Sequence, residues 1–297
     1  MKRATPFLLV APALLVLGLF AVSLVSFIGI SFLRQDPGGA SFGGPLTLDN
    51  YAKAIGSEYA RHVALQTFML AVKVTALAVV LGFPLAYVLA RSPSRLVRNT
   101  ILFGLVATFL SGGVTRAYAW MLILGNKGVV NSILASLGLS TLPLINNEFA
   151  VIVSVLNFSM PFFVLTLFGT LQAIPVSLEH AARNLGASRT RVFLEVTWPL
   201  ALPGLVAASS LVFAIGLAAF LFPELLGGGK VHVSATSIYQ KIQTDYDLPS
   251  AAALSVLFLA LTAVVFTAFT LVQRGFARRA EKRLQAAPEN LTQAQPA

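Results

Sequence analysis

The 297-residue sequence contains no cysteine, which excludes disulfide bonds, thiolate catalysis and metal sites built on cysteine. Only 11% of its residues are charged, well below the share of about a quarter in soluble domains. It also lacks a G-x-x-x-x-G-K-[ST] phosphate loop, because "GGGKV" at 227–231 has neither the spacing nor the hydroxyl residue. We therefore expect neither an ordinary soluble domain nor an ATPase.

Histidine is scarce as well. His62, His180 and His232 fall in separate loops between apolar segments, so they are not expected to form one metal site. No histidine lies within an apolar segment, where it would be needed for an intramembrane Ser/His pair. The net charge of +10 comes from basic residues spread between the apolar segments, not gathered on one soluble face. A membrane hydrolase and a nucleic-acid-binding protein are both disfavoured.

Long apolar sequence is what the chain has in abundance: 57% of its residues are hydrophobic and the mean hydropathy is +0.81. A bilayer core of about 30 Å needs roughly 20 helical residues to cross, and helices satisfy their own backbone hydrogen bonds in lipid. The first apolar segment is about twice as long as a signal-peptide core, which favours an anchored helix over a cleaved signal. The sequence predicts an all-α integral membrane protein with six transmembrane helices, at about residues 6–33, 65–90, 100–124, 149–174, 200–226 and 250–272.

The loops between these segments differ in charge. Most of the Lys and Arg residues lie on the side that holds both termini and residues 175–199, which predicts that this side is cytoplasmic. On the outer side, residues 34–61 are predicted to be turn-rich and to end in a short amphipathic helix. "VVNSILASLGL" in the next outer loop predicts another short helix, capped by Gly138 and lying along the interface. The tail at 281–297 is predicted to be disordered.

A polar stretch, residues 175–199, separates the fourth and fifth apolar segments. Pro175 ends one helix, and Ser177 is expected to cap the next, "LEHAARNL", which ends at Gly186. Spacings of three and four place four residues on one face of this helix. They are Leu178, Ala181, Ala182 and Leu185.

The second half of this stretch predicts another short helix. Ser188 is expected to cap it, and the next span is expected to start at Pro199 and Pro203. Its apolar residues, Val192, Phe193 and Val196, are expected to be exposed with those of the first helix. An ordinary solvated loop is the alternative, but an apolar surface beside a glycine hinge favours docking into a groove of another protein.

This stretch resembles the signature loop of permease subunits of bacterial ABC importers. The family pattern is Glu-Ala-Ala, three residues, Gly, nine residues, an aliphatic residue, one residue, then Leu-Pro. It falls on His180, Ala181, Ala182, Gly186, Val196, Trp198 and Pro199. His180 stands where the family has Glu and Trp198 where it has Leu, which leaves the detail of docking open. Glu179 is a neighbour of His180, but it points about 100° away on a helix and does not simply replace the missing acid.

Several other segments extend the resemblance over nearly the whole chain, and they look like the spermidine/putrescine-type branch of type I permeases. They include "GPLTLDNYAKAI", "GFPLAYVLAR", "TRAYAWMLILGNKGVVNSIL", "LPLINNEFAVIV", "MPFFVLTL" and "FPELLGG". The resemblance implies a six-span permease domain over residues 1–280 and a cytoplasmic coupling loop at 175–199. It also implies a multi-pass protein of the bacterial cytoplasmic membrane that works by alternating access.

The resemblance further implies partners. Residues 177–198 would dock onto a cytoplasmic ABC ATPase dimer that hydrolyses ATP with Mg²⁺, while this chain itself binds no cofactor. A second, different permease subunit and a periplasmic or lipid-anchored substrate-binding protein would complete the complex. The implied coupling residues are Leu178, Glu179, His180, Ala181, Ala182, Leu185, Gly186, Ala187, Phe193 and Pro199.

Polar residues inside apolar segments are costly and suggest function. Lys73 is expected to extend its ammonium group to the outer interface. Arg116 lies deeper, and it either pairs within the bundle or with a partner subunit, or lines the pathway. Glu224 either contacts a cationic substrate or pairs with Lys230 or a neighbouring chain.

The fourth span carries a further polar group. Pro161 deprives the carbonyl group of Asn157 of its helical donor, and Ser159 lies between them. This arrangement suits either a gated path or an ordinary helix kink. The candidate substrate-pathway residues are Arg116, Tyr118, Asn157, Ser159 and Glu224.

The substrate and one rival function stay open at this point. A polyamine path should offer carboxylates or aromatic faces, whereas two of the three embedded ionisable residues are basic. The substrate is therefore expected to be a polyamine or another small polar solute such as a phosphonate. The rival function is a stand-alone, ion-coupled secondary transporter, although the sequence shows no clear internal repeat of the kind such transporters often carry.

Overall fold

The chain is almost entirely helical in the computed structural model, which describes residues 5–36 and 41–285. A two-residue hairpin, β1 (Arg34–Gln35) with β2 (Phe42–Gly43), pairs antiparallel near the N-terminus. The helices are α1 (Thr5–Ile30), α2 (Asp49–Gly56), α3 (Glu58–Arg91), α4 (Arg95–Leu110), α5 (Gly113–Leu124), α6 (Val129–Ser136), α7 (Glu148–Ala173), α8 (Val176–Asn184), α9 (Arg189–Val192), α10 (Trp198–Leu217), α11 (Leu221–Leu226), α12 (Ser234–Gln243) and α13 (Leu248–Gln285), with a π-helical turn at Phe193–Thr197 between α9 and α10.

Five of the described helices are long and apolar enough to cross a membrane, and the count rises to six if one bent helix pair makes a single crossing. The five stretches are Ala11–Ile30, Glu58–Arg91, Glu148–Ala173, Arg189–Leu217 and Leu248–Leu271. The predicted all-α membrane fold is therefore confirmed.

The third predicted span, residues 100–124, is not one straight helix. The chain bends by 107° between Arg95–Leu110 and Gly113–Ser136. Ser111 and Gly112 have extended backbones, with ψ of 124° and 148°, so the helical hydrogen bonding stops there. The prediction of a continuous span was wrong, because the apolar composition of residues 100–124 carries no information about this break.

The fifth predicted span, residues 200–226, has different limits. The helix starts earlier, at Arg189, and runs continuously through Pro199 and Pro203 to Leu217. Within the π-helical turn the Trp198 N–H bonds to the Phe193 carbonyl group, one residue further back than in an α-helix. This wider turn accommodates Pro199, which lacks an N–H and would crowd the carbonyl group four residues back. The expectation that the prolines start the span was therefore wrong.

The chain divides into two compact units, each taken as far as the structure describes it. One unit comprises Met1–Gln66 and His232–Leu261, and the other Thr67–Val231 and Thr262–Ala297. In the second unit α7 packs against α4, α5, α10 and α11, and it supplies many of the buried residues. Small residues allow close helix approach there: a Cβ built on Gly204 would lie 2.1 Å from the Thr170 hydroxyl oxygen.

In the first unit a buried Asn50 joins α2 to the end of α1. Its side-chain amide donates to the carbonyl groups of Ser31 (2.9 Å) and Leu33 (2.7 Å). Nearby, the Arg34 guanidinium donates to the Asp49 carboxylate at 2.5 Å, and this bond lowers the pKa of Asp49. The turn-rich segment 34–61 thus holds a hairpin and a short helix, where the sequence predicted only the helix.

Two other predictions concern short elements. The outer-loop helix is α6, Val129–Ser136, and Gly138 follows it with φ of 74°, as its predicted capping role requires. The predicted disordered tail begins too early, because α13 continues to Gln285. The rest of that tail, residues 286–297, lies outside the described residues.

Candidate functional site

The 175–199 loop consists of α8, a turn at Gly186, α9 and the π-helical turn that leads into α10. Ser177 does not cap α8: Pro175 occupies the N-cap position and no side chain caps this helix. Ser188 caps α9 as the sequence predicts, accepting a hydrogen bond from the Arg191 N–H at 3.3 Å. Each helix therefore begins at a residue that breaks or caps helical structure.

Gly186 reverses the chain between α8 and α9. Its φ is 85°, a left-handed conformation that residues with a side chain rarely adopt. The Ala187 N–H bonds to the Ala182 carbonyl group at 3.1 Å and the Gly186 N–H to that of Arg183 at 2.9 Å. This is the Schellman pattern that ends helices at glycine. No atom lies within 4 Å of a Cβ built at Gly186, so the backbone, not space, requires glycine.

The outer face of α8 is apolar and unusually open. Leu185 is 88% exposed and Leu178 is 45% exposed, and Ala181 and His180 are exposed beside them. Ala182 is half-buried. The face predicted from the spacing therefore points away from the rest of the chain.

Glu179 is buried, whereas its neighbour His180 is exposed. Its carboxylate accepts a hydrogen bond from Arg91 Nε at 2.8 Å, and the two side chains are only 5% and 11% exposed. Arg91 Nη2 also donates to the Ile174 carbonyl group at 3.1 Å, and the Thr197 hydroxyl donates to Glu179 at 3.4 Å. Glu179 thus joins the ends of α3 and α7 to α8 and the π-helical turn.

The three apolar residues predicted to be exposed after Ser188 are buried or half-buried: Val192, Phe193 and Val196. Val192 is buried, and the Phe193 ring packs edge-on against Phe83 and Tyr87 of α3, with centroids 5.7 Å apart in both pairs. Trp198 also contacts Phe83, at 5.1 Å. Because the second helix turns its apolar side inward, the open apolar surface comes mainly from α8.

Arg116, a candidate pathway residue, is buried at the bend between α4 and α5. Its guanidinium donates to the carbonyl groups of Thr108 and of Ser111 (2.8 Å), and to the Ser111 hydroxyl. It also lies over the Phe158 ring, 5.2 Å from its centroid. Arg116 therefore caps the last carbonyl groups of α4 within its own chain, one of the roles that the sequence left open.

The remaining candidate pathway residues have different surroundings. Ser159 is buried and donates to the Leu156 carbonyl group at 3.0 Å. Asn157 borders a cavity of about 320 Å³ that is also lined by Thr100 and Thr108. Tyr118 is 54% exposed on α5.

Lys73 and Glu224 are the other charged residues of the apolar segments. The Lys73 side chain is 47% exposed and pairs with Glu148 at the start of α7, at 2.6 Å, so its extension to the outer interface stays a prediction. Glu224 is exposed, and among the described residues it forms no ion pair with Lys230 or any other cation. The described residues also contain no group of three His, Asp or Glu that could hold a metal.

The first unit contains a larger cavity, of about 900 Å³, that the sequence reasoning missed. Its lining includes Tyr59, Asp245 and Asp247, together with apolar residues of α13. Both carboxylates are already engaged: Asp245 pairs with Lys241 at 2.8 Å, and Asp247 accepts the Ser250 N–H at 3.1 Å. The two acidic residues of "TDYDLP" were the sequence signal for this cavity. In the structure Asp245 pairs with Lys241, and Asp247 caps the start of α13.

Known proteins resemble this chain in both sequence and fold. Residues 2–282 match the family described as binding-protein-dependent transport system inner membrane component. The spermidine/putrescine transport system permease protein PotB of Escherichia coli (strain K12) is 34% identical over 245 residues, covering 82% of this chain and 87% of that protein. PotB of Haemophilus influenzae is 28% identical over 256 residues, covering 86% and 88%. A bacterial ABC transporter involved in the import of the acidic polysaccharide alginate shares the fold, with a TM-score of 0.74 at 20% identity over 92% of this chain and 96% of that chain.

Proposed function

The chain belongs to the family of binding-protein-dependent transport system inner membrane components, and from this membership we propose how its structure serves transport. It is a non-catalytic membrane permease subunit of an ABC importer. A stand-alone, ion-coupled transporter is therefore set aside. The open questions are how the chain couples to ATP, what it carries and which subunits surround it.

Residues 177–198 couple this chain to a cytoplasmic ABC ATPase dimer in this proposal, and the contact itself is made by the exposed face of α8. The observation that carries it is the exposed α8 face, where Leu185 is 88% exposed next to the left-handed Gly186. An apolar side chain this open on a rigid turn suits insertion into a groove of a protein partner. The chain itself binds no nucleotide; the ATPase subunits hydrolyse ATP with Mg²⁺, consistent with the missing phosphate loop.

The proposed substrate is a polyamine such as spermidine or putrescine. The support comes from the printed names of the PotB relatives. One feature of the structure weakens the objection that the embedded residues are basic: Lys73 pairs with Glu148, which offsets its charge. Arg116 keeps its positive charge, because its hydrogen bonds go to uncharged groups of its own chain. Asn157, Ser159, Tyr118 and Glu224 remain the proposed pathway residues.

The proposed assembly contains a second, different permease subunit and a periplasmic or lipid-anchored substrate-binding protein. Both termini face the cytoplasm, as the excess of Lys and Arg on that side indicates. Closure of the ATPase dimer moves the 175–199 loop. The spans then convert that motion into alternating access.

Stimulation of ATP hydrolysis tests this proposal. The purified complex in lipid nanodiscs is mixed with the binding protein loaded with spermidine, putrescine or a phosphonate. We expect the polyamine-loaded protein to stimulate hydrolysis and the phosphonate to have no effect. Stimulation by the phosphonate alone would overturn the substrate assignment, and failure of the chain to co-purify with any ATPase would overturn the coupling role.

A further inference from the structure

We propose that Arg91 and Glu179 form an internal joint through which the 175–199 loop moves helix α3, and that Glu179 does not contact the ATPase. This inference rests on the proposed coupling function of the loop. It assigns Arg91 and Glu179 as positioning residues, whereas the family resemblance placed Glu179 among the docking residues.

The joint connects four elements at one point. Arg91 is the last residue of α3, and its Nε donates to Glu179 of α8 at 2.8 Å. Its Nη2 donates to the Ile174 carbonyl group just after α7, at 3.1 Å. The Thr197 hydroxyl at the start of α10 donates to the same Glu179 oxygen at 3.4 Å. A displacement of α8 is therefore transmitted at once to the ends of two long helices and the start of a third.

Burial makes this connection stiff. The Arg91 and Glu179 side chains are 11% and 5% exposed, so water cannot readily replace either partner. Separating a buried pair leaves an uncompensated charge, which is strongly unfavourable. The loop also contains an exposed pair, Arg191–Glu195, whose side chains are 67% and 59% exposed. Exposed pairs contribute little, so Arg191–Glu195 is a matched control in the same loop.

An aromatic contact supports the loop independently of the ion pair. The Phe193 ring packs against Phe83 and Tyr87 on the same helix that ends at Arg91. When the ion pair is removed, these rings still hold the loop against α3. The docking face, which lies on the exposed side of α8, therefore stays available, and the transmission of motion through the ion pair is lost.

The test uses the whole complex in nanodiscs with its ATPase, partner permease and binding protein. For Glu179→Gln we expect the bound ATPase and the basal ATP hydrolysis to stay within about twofold of the unchanged complex. Hydrolysis stimulated by the loaded binding protein should fall by about tenfold, within the usual range of coupling between sites. Glu195→Gln should leave all three quantities unchanged.

The exchanged pair Arg91→Glu with Glu179→Arg provides the rescue. It should recover part of the stimulation that either single change loses, because the ion pair re-forms with reversed ends. Loss of ATPase binding in Glu179→Gln, with the two permease subunits still together by size exclusion, would show that Glu179 docks and would overturn the joint. Normal stimulation in Glu179→Gln would overturn it as well. Either result leaves the unchanged complex able to bind and stimulate its ATPase. Failure of the proposed function is different, because the unchanged complex would then show no coupling at all.

Discussion

Replacing Gly186 with valine should uncouple this chain from its ATPase without disturbing its insertion. Gly186 has φ of 85° and open space around its Cβ position, so the whole cost of a side chain is conformational. A residue with a side chain in the left-handed region costs about 1–2 kcal/mol, and valine is a poor choice there. A cost of this size lowers the ratio of the native turn to other conformations of the turn by about 5–30-fold.

The affinity for the ATPase should fall by up to this factor, because only the native turn presents the α8 face and the affinity follows the fraction of chains that hold it. The assay is binding of the purified ATPase to the permease in nanodiscs, with insertion checked by membrane fractionation. Gly138→Val is the matched control: Gly138 also has a left-handed backbone, with φ of 74°, and equally open space, but it lies outside the 175–199 loop. It should leave ATPase binding unchanged.

Gly186→Asn should lose less affinity than Gly186→Val, because asparagine visits the left-handed region more readily. ATPase binding by Gly186→Val within twofold of the unchanged protein would refute the reasoning. Equal losses for Gly186→Val and Gly138→Val would also refute it, since the effect would then be general strain.

Three further predictions concern stability and titration. Arg116→Lys should lower the free energy of unfolding by about 1–3 kcal/mol, because one ammonium group cannot satisfy the α4 carbonyl groups that the guanidinium caps, and thermal unfolding in nanodiscs measures it. Gly204→Ala should lower the free energy of unfolding by about 1–3 kcal/mol in the same measurement, because the added methyl group overpacks against Thr170. Thr170→Ala in the same chain should recover part of this loss. The pKa of Asp49, lowered mainly by Arg34, should rise toward its ordinary value in Arg34→Ala, and an NMR titration of the carboxyl group measures this pKa. The stabilisation from this pair is present at neutral pH and is lost as the pH falls through the Asp49 pKa.

The membrane helices and the helix-turn-helix form of the 175–199 loop were the parts most open to prediction. A span needs about 20 apolar residues because lipid leaves the backbone no other partner, so composition alone located the long helices. The left-handed turn at Gly186 was also readable, because a glycine after an amphipathic stretch is the usual helix end.

Contacts between distant positions could not be read in the same way. Arg91 and Glu179 are 88 positions apart, and the sequence around either residue does not indicate which residue it contacts. The basic residues near the ends of the spans were interpreted as markers of the cytoplasmic side, which concealed the role of Arg91. The inward turn of Val192 and Phe193 depends on the aromatic side chains of α3, and periodicity shows which residues share a face but not what that face meets.

The predictions of the third and fifth spans failed for a related reason, since they missed the bend after Leu110 and the continuity of α9 with α10. Both depend on backbone conformations that the local sequence permits but does not require. Ser111–Gly112 allows a break without requiring one, and Arg116 stabilises it by capping α4. Pro199 usually marks a helix start, but here a π-helical turn accommodates it within the helix.

Accessibility of a single thiol at position 185 tests the central claim, which is that the ATPase binds the exposed face of α8. The chain has no cysteine, so Leu185→Cys introduces a unique thiol at an open position, and Leu46→Cys gives a similarly exposed control outside the 175–199 loop. With saturating ATPase, maleimide labelling at position 185 should slow by about tenfold or more, as expected when over nine-tenths of the sites are occupied. Labelling at position 46 should not change. Equal labelling rates at position 185 with and without the bound ATPase would contradict the account.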